Sequence, residues 1–297
     1  MIFINYYDEI KNELINNEAT KKVKDYSKNK SDLTTYYNVG KLLSEAGKHY
    51  GEEIIKEYSK RLINEFRRNF GITLLKRIRQ FYIVIEKGAT MSHQLSWSHY
   101  CELLPVNSID KINYYIKITE EQNLSVRELR TKIKNNEYER LDESTKEKLK
   151  EKEKLKVSDL VKNPIQIKNT SGNNEISEKI LQKLILEDIP SFLKELGNGF
   201  SFIDSEYKIK IGDRYNYIDL LLFNYEFNYF VVAELKVIEL KKEHIGQIEV
   251  YMNYIDKNIK SINQNKTIGI IICKKENNYI IEYCSDDRIL AREYELI

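Results

Sequence analysis

The chain has 297 residues, with 48 Lys and Arg against 46 Asp and Glu and a formal net charge of +2. So even a balance excludes attachment to polyanions by bulk charge, and any attraction to nucleic acid has to come from local patches. Eleven glycines and three prolines are too few for a turn-rich all-β fold, and three cysteines without CxxC spacing argue against a disulfide framework.

No apolar run approaches the ~18 residues of a membrane span. The N-terminus MIFINYYDEIKNELI lacks a basic leader and a cleavage site, so a cytoplasmic protein with no membrane partner is expected. The length suffices for two domains, each with its own core. Residue patterns divide the chain into an all-α domain over 1–138, a charged linker over 139–160 and an α/β domain over 161–297.

From Ile10 to Asn136 the periodicity is helical. Over Glu52–Phe70, Ile54, Ile55, Tyr58, Leu62, Ile63 and Phe66 fall on one stripe. Gly71 is expected to stop that helix and Thr73 to cap the next, which carries Leu74, Leu75, Ile78, Phe81, Tyr82 and Ile85. The two could form a helix-turn-helix near Lys60–Gln80. Lys60, Arg61, Arg67, Arg68, Lys76, Arg77 and Arg79 crowd that window against Glu65 alone, which is the footprint of a DNA-backbone surface or simply a solvated helix face. Trp97 reads as a packing anchor. His93 and His99 lack ligand partners and read as ordinary hydrogen-bonding residues. Ser125 and Glu128 form a capping box at the start of a last helix.

The stretch ERLDESTKEKLKEKEKLK, Glu139–Lys156, is a solvated helix or connector. Asn163-Pro164 and Ser171-Gly172-Asn173-Asn174 punctuate the start of the second domain. Ile176–Leu196 reads as an amphipathic helix that Pro190 kinks or breaks, with Gly197 as its C-cap. Phe200–Ile211 alternates as a strand up to a Gly212-Asp213 turn. Tyr217–Phe223 and Tyr229–Val232 then form a hairpin about Asn224–Asn228. A helix over Glu243–Tyr254, a buried strand over Thr267–Cys273 and a final strand over Tyr279–Tyr283 complete an α/β domain with a mixed sheet.

Three charges interrupt the greasy hairpin: Asp219, Glu234 and Lys236. Alternation points Glu234 and Lys236 the same way. A bare carboxylate at Asp219 is expensive to bury, unless the hairpin is an edge whose charges face water. The other reading is a hard oxygen site: Asp219, Glu234 and the Leu235 backbone carbonyl suit Mg²⁺. A cation there polarises a phosphate and acidifies a bound water, and the Lys236 ammonium orients that water, which is the apparatus for phosphodiester hydrolysis.

Ile218-Asp219 and Glu234-Leu235-Lys236 resemble the PD-(D/E)xK nuclease signature, with Ile218 where the proline usually stands. Gln247 and Tyr251 resemble the QxxxY element of the RecB-like branch, and Glu178 matches the acidic residue many members carry ahead of the core. QLSWSHYCELL, EQNLSVREL, FLKELGNGF and YIDLLLFN resemble the YhcG-type (DUF1016) family, over nearly all the chain beyond Thr35.

That resemblance implies a restriction-endonuclease-like mixed sheet flanked by helices and an endonuclease dependent on Mg²⁺ or Mn²⁺, with a helical N-terminal domain on DNA. It implies Asp219 and Glu234 on the metal, Lys236 beside the attacking water, Glu178 as an outer carboxylate and Gln247 positioning the lysine or the DNA backbone. A homodimer and a role in genome defence are implied at the same level. Tyr251 is otherwise core packing, and His244 is either a phosphate contact or a surface histidine. The competing reading is a non-catalytic DNA-binding or scaffold protein that keeps a nuclease fold.

Overall fold

The computed structural model describes all residues except 1–5, 24–27, 68–69, 152, 154–155, 157–158, 160, 171, 173–175 and 285. Two compact units divide the chain at Tyr138/Glu139.

The first unit is helical: α1 (Tyr6–Val23), α2 (Lys28–Tyr50), α3 (Ile54–Phe66), α4 (Ile72–Glu86), α5 (Trp97–Leu103), α6 (Ile109–Gln122) and α7 (Val126–Lys134). Tyr7, Ile10, Val39, Leu43, Ile55, Leu62, Leu75 and Ile78 make its core. Gly40 lets α2 and α4 approach, because a Cβ there would lie 2.5 Å from the Ile78 carbonyl oxygen. The α3/α4 punctuation differs from expectation. α3 ends at Arg67 in the left-handed region, four residues before Gly71. Gly71 instead N-caps α4 in an extended conformation, and Thr73 lies inside the helix. Ile63, expected on the inner stripe, is 40% exposed. The Ser125 capping box forms as expected, with Ser125 N–H donating to Glu128 Oε2 at 2.9 Å. Trp97 packs against Tyr36 and Phe81, and His99 bonds Ser96 and the Leu124 carbonyl.

In the second unit, α8 (Glu143–Glu151) and β1 (Ile165–Ile167) precede α9 (Glu178–Glu187) and α10 (Ile189–Leu196). Then come β2 (Phe200–Ile211), β3 (Arg214–Asn224), β4 (Tyr229–Glu239), α11 (Lys242–Asn258), β5 (Ile268–Lys275), α12 (Asn278–Glu282) and β6 (Ile289–Leu296). The stretch read as a linker is fastened within this unit. Arg140 pairs with Glu195, and Arg292 donates to Asp142 Oδ2 at 2.9 Å. The Pro190 break is complete: Asp188 ends α9 and caps α10 by accepting from Ser191 N–H.

The sheet runs β1-β6-β5-β4-β3-β2. β2, β3 and β4 are antiparallel, and β4, β5, β6 and β1 are parallel. Leu181, Leu184, Ile185, Phe192 and Leu196 pack on one face, against Leu220, Leu222, Ala233 and Leu235. Ile248, Tyr251, Met252 and Ile255 pack on the other, against Leu221, Val232 and Ile271. The layers are therefore α/β/α.

Two strand expectations fail at the C-terminus. Tyr279–Tyr283 is helical, because Asn277 caps α12 at Ile280 N–H, and Tyr279 and Tyr283 are 77% and 80% exposed with no sheet face to fill. The final strand is instead β6. Its Arg292, Glu293 and Glu295 break the apolar alternation, yet Ile289–Glu293 pairs with β5 and Tyr294–Leu296 with β1. Arg292 is buried there because Val161 and Ala291 carbonyls and Asp142 satisfy its guanidinium.

Candidate active site

The hairpin of β3 and β4 stays in register only from Asn224↔Tyr229 to Leu220↔Ala233. Beyond that pair β3 continues with β2 alone and β4 with β5 alone, so the two strands fork. Asp219 and Glu234 are the first residues past the fork. The backbone groups freed there are taken up by these acids: Leu235 N–H donates to Asp219 Oδ2 at 2.8 Å, and Asp219 N–H reaches Glu234 Oε1 at 3.5 Å. The carboxylates thus replace the ladder at the point where it opens.

Glu234 is 1% exposed. Its Oε2 accepts from Gln247 Nε2 on α11 at 3.0 Å and lies 3.5 Å from Lys236 Nζ. Lys236, itself buried, lies 3.8 Å from Glu178 Oε2 at the start of α9. Gln247 also donates to Tyr251 Oη at 3.1 Å. The fold therefore brings Asp219, Glu234, Lys236, Gln247, Tyr251 and Glu178 into one cluster. His244 is buried rather than on the surface, because its Nδ1 accepts from Lys241 N–H at the start of α11. Burial, then the Lys236 charge, holds its imidazole below the ordinary histidine range.

Two residues had no sequence signal strong enough to single them out. Gln182, one helical turn after Glu178, donates to the Asp219 carbonyl at 3.0 Å and pins the fork to α9. Glu206, opposite Asp219 on β2, has a left-handed φ of 51° and adds its charge to the acidic cluster.

The electrostatics are unbalanced. Asp219, Glu234 and Glu178 face the single ammonium of Lys236. Burial, then repulsion from Asp219, pushes the Glu234 carboxyl up to about 8. Burial also raises Asp219, against the lowering effect of the Leu235 N–H. Among the described residues no three His, Cys, Asp or Glu side chains gather as a metal cage. Two carboxylates and a carbonyl still form a set that fits a hard divalent ion keeping several waters, and such an ion would relieve the repulsion.

Residues 158–297 match the YhcG PDDEXK nuclease domain and residues 9–140 match the DUF1016 N-terminal domain. The chain belongs to the YhcG-type DUF1016 family. A family relative from Escherichia coli (strain K12), described as "Putative nuclease YhcG", is 25% identical over 88% of this chain and 82% of its own. Among solved structures, a repair endonuclease from Pyrococcus abyssi is similar at 19% identity and a TM-score of 0.30, over 43% of this chain and 50% of that one. The EndoMS-dsDNA2 complex is similar at 18% identity and a TM-score of 0.32, over 43% and 49%. The likeness thus spans about half of those chains. The second unit of this YhcG-type protein is a nuclease domain of restriction-endonuclease-like fold. No helix among the described residues is long and apolar enough to cross a membrane.

The basic window of the first unit is less one-sided than its sequence. Arg79 is held by Glu52 at 2.7 Å, and Arg61 lies over the Tyr7 ring with Glu57 3.8 Å away. Lys60, Arg67, Lys76 and Arg77 are exposed, whereas Arg68 lies outside the described residues.

Proposed function

We propose that the protein is a DNA nuclease dependent on a divalent cation, Mg²⁺ or Mn²⁺, that hydrolyses phosphodiester bonds at the β3/β4 fork. One observation carries this: two adjacent carboxylates, one of them almost fully buried, face a single ammonium where the ladder opens. Asp219, Glu234 and the Leu235 carbonyl would hold the cation, which supplies charge neutralisation at the phosphate and a more acidic water. Lys236, steadied between Glu234 and Glu178, would orient the attacking water and counter the charge developing on the phosphate. Gln247 keeps the Glu234 carboxylate oriented by bonding the oxygen that also faces Lys236. Exposed Lys60, Arg67, Lys76 and Arg77 support a DNA-backbone surface on the first unit, with Arg61 and Arg79 serving mainly its own packing.

The test is a cleavage panel of linear, nicked, branched and single-stranded DNA with Mg²⁺ or Mn²⁺, with Asp219→Ala and Glu234→Ala as controls. Cleavage lost in both variants is expected. No cleavage by the wild-type protein, or cleavage that survives Glu234→Ala, overturns the reading and favours the DNA-binding scaffold.

A further inference from the structure

Past the fork, β3 and β2 continue as a two-stranded ribbon over 205–219 that leaves β4 behind. Its two faces differ sharply. Ile209 and Ile218 are buried on one, in the core beneath α11. Side chains alternate, so the other face carries Lys208 opposite Tyr217 and Lys210 opposite Tyr215, a short way along β3 from Asp219. Tyr215 and Tyr217 are 56% and 52% exposed. The Lys208 ammonium lies 3.9 Å from the Tyr215 ring centroid and the Lys210 ammonium 6.0 Å from it. That contact holds the cations along the open face rather than letting them swing into solvent.

Lysines on an edge strand also discourage sheet-to-sheet pairing, but half-exposed tyrosines between them work against that purpose. Alternating cations and rings instead match a strand of nucleic acid, which offers a phosphate and a base face at every step. At a rise of about 3.4 Å per residue, Tyr217 lies about 7 Å and Tyr215 about 14 Å along from Asp219. Tyr217 is then within about two nucleotides of the phosphate that Asp219 faces.

Resting on the proposed nuclease activity, we propose that this ribbon face is the track for single-stranded DNA beside the scissile phosphate. Lys208 and Lys210 take phosphates and Tyr217 stacks on an unpaired base. A duplex hides its base faces and leaves the rings without that partner, so the preference is for unpaired DNA.

The test is anisotropy binding of the full chain to a labelled single-stranded oligonucleotide, the matching duplex and the matching RNA, in EDTA and over a series of salt concentrations. Tyr217→Ala is expected to weaken single-strand binding by about five- to 150-fold, with Tyr217→Phe close to wild type. Lys208→Ala with Lys210→Ala should flatten the log–log salt slope by about 1.4, and exposed Lys257→Ala should leave it unchanged. A photoreactive oligonucleotide should cross-link to the 205–219 peptide, which keeps binding at the first unit from masking the result. Unchanged affinity and slope in the ribbon variants, cross-links only elsewhere, equal losses on duplex, or tighter RNA binding overturns the proposal. The two readings fail separately. Ribbon-dependent binding without cleavage refutes the nuclease and keeps the track, whereas Glu234-dependent cleavage with ribbon-independent binding does the reverse.

Discussion

Glu234→Gln keeps the volume and the hydrogen-bonding reach of a buried side chain while removing its charge. Wild-type Glu234 has its carboxyl raised from an ordinary 4.5 to about 8, by burial first and the Asp219 charge second. Through that window the folded protein holds a proton that the unfolded chain has released. Metal-free stability therefore falls as pH rises from 4.5 towards 8, by about 1.4 kcal/mol per unit. The full interval sets an upper bound of roughly 5 kcal/mol, a figure that already contains the lowering effect of the nearby Lys236 ammonium. The glutamine variant escapes this loss, and its Lys236 still has Glu178 at 3.8 Å. In EDTA at about pH 9 it should melt about 5–15 °C above wild type, and the gap should close by about pH 5. Adding Mg²⁺ at the alkaline pH should raise the wild-type melting temperature and leave the variant where it is, because cation binding displaces the Glu234 proton. Circular dichroism melts of both proteins across pH provide the measurement. A difference between them that does not vary with pH refutes the argument that a buried charge is what makes this site costly.

Lys236→Met should lower cleavage by about 10²–10⁴-fold while the Mg²⁺-induced thermal shift persists, since in the proposed mechanism the ammonium would act on the water and not on the cation; loss of the shift would make it a determinant of metal binding. Glu195→Ala takes the carboxylate away from Arg140 and Lys162, whose side chains are 8% and 3% exposed, leaving two buried cations on carbonyl acceptors, and should cost about 3–5 kcal/mol in urea denaturation of the second unit followed by circular dichroism. Trp97 fluorescence, which reports the first unit, should not move in that variant. Gly40→Ala should do the converse, shifting the Trp97 transition by about 1–3 kcal/mol, because the new Cβ meets the Ile78 carbonyl at 2.5 Å and the Tyr82 Cβ at 2.7 Å and neither can swing aside.

Much of the fold was legible because its signals are local. The β2–β3–β4 run, the α11 face and the Ser125 capping box depend on neighbours a few residues apart, and these reappear as expected. The errors came where distant partners decide. Tyr279–Tyr283 has the residues of a strand but no edge to join, and its Asn277 cap turned it into a helix. β6 has the polarity of a loop but a place between β5 and β1, where Arg292 finds buried acceptors. Likewise the basic window around α3 and α4 showed Glu65 alone, while Glu52 and Glu57 lay just outside it and fold back onto Arg79 and Arg61.

For the candidate site the division is similar. The sequence alone singled out Asp219, Glu234 and Lys236 as the candidate site, since they are costly residues in apolar strands and the signature they resemble is specific. Only the tertiary structure decided how they meet. The fork after Leu220↔Ala233 frees the backbone groups that orient both acids, α11 brings Gln247 onto Glu234, and α9 brings Glu178 onto Lys236 and Gln182 onto the Asp219 carbonyl. These contacts join residues 13 to 58 positions apart, as in Gln247 with Glu234 and Lys236 with Glu178. Periodicity along a chain cannot encode them, because they depend on which strands pair and where the pairing stops.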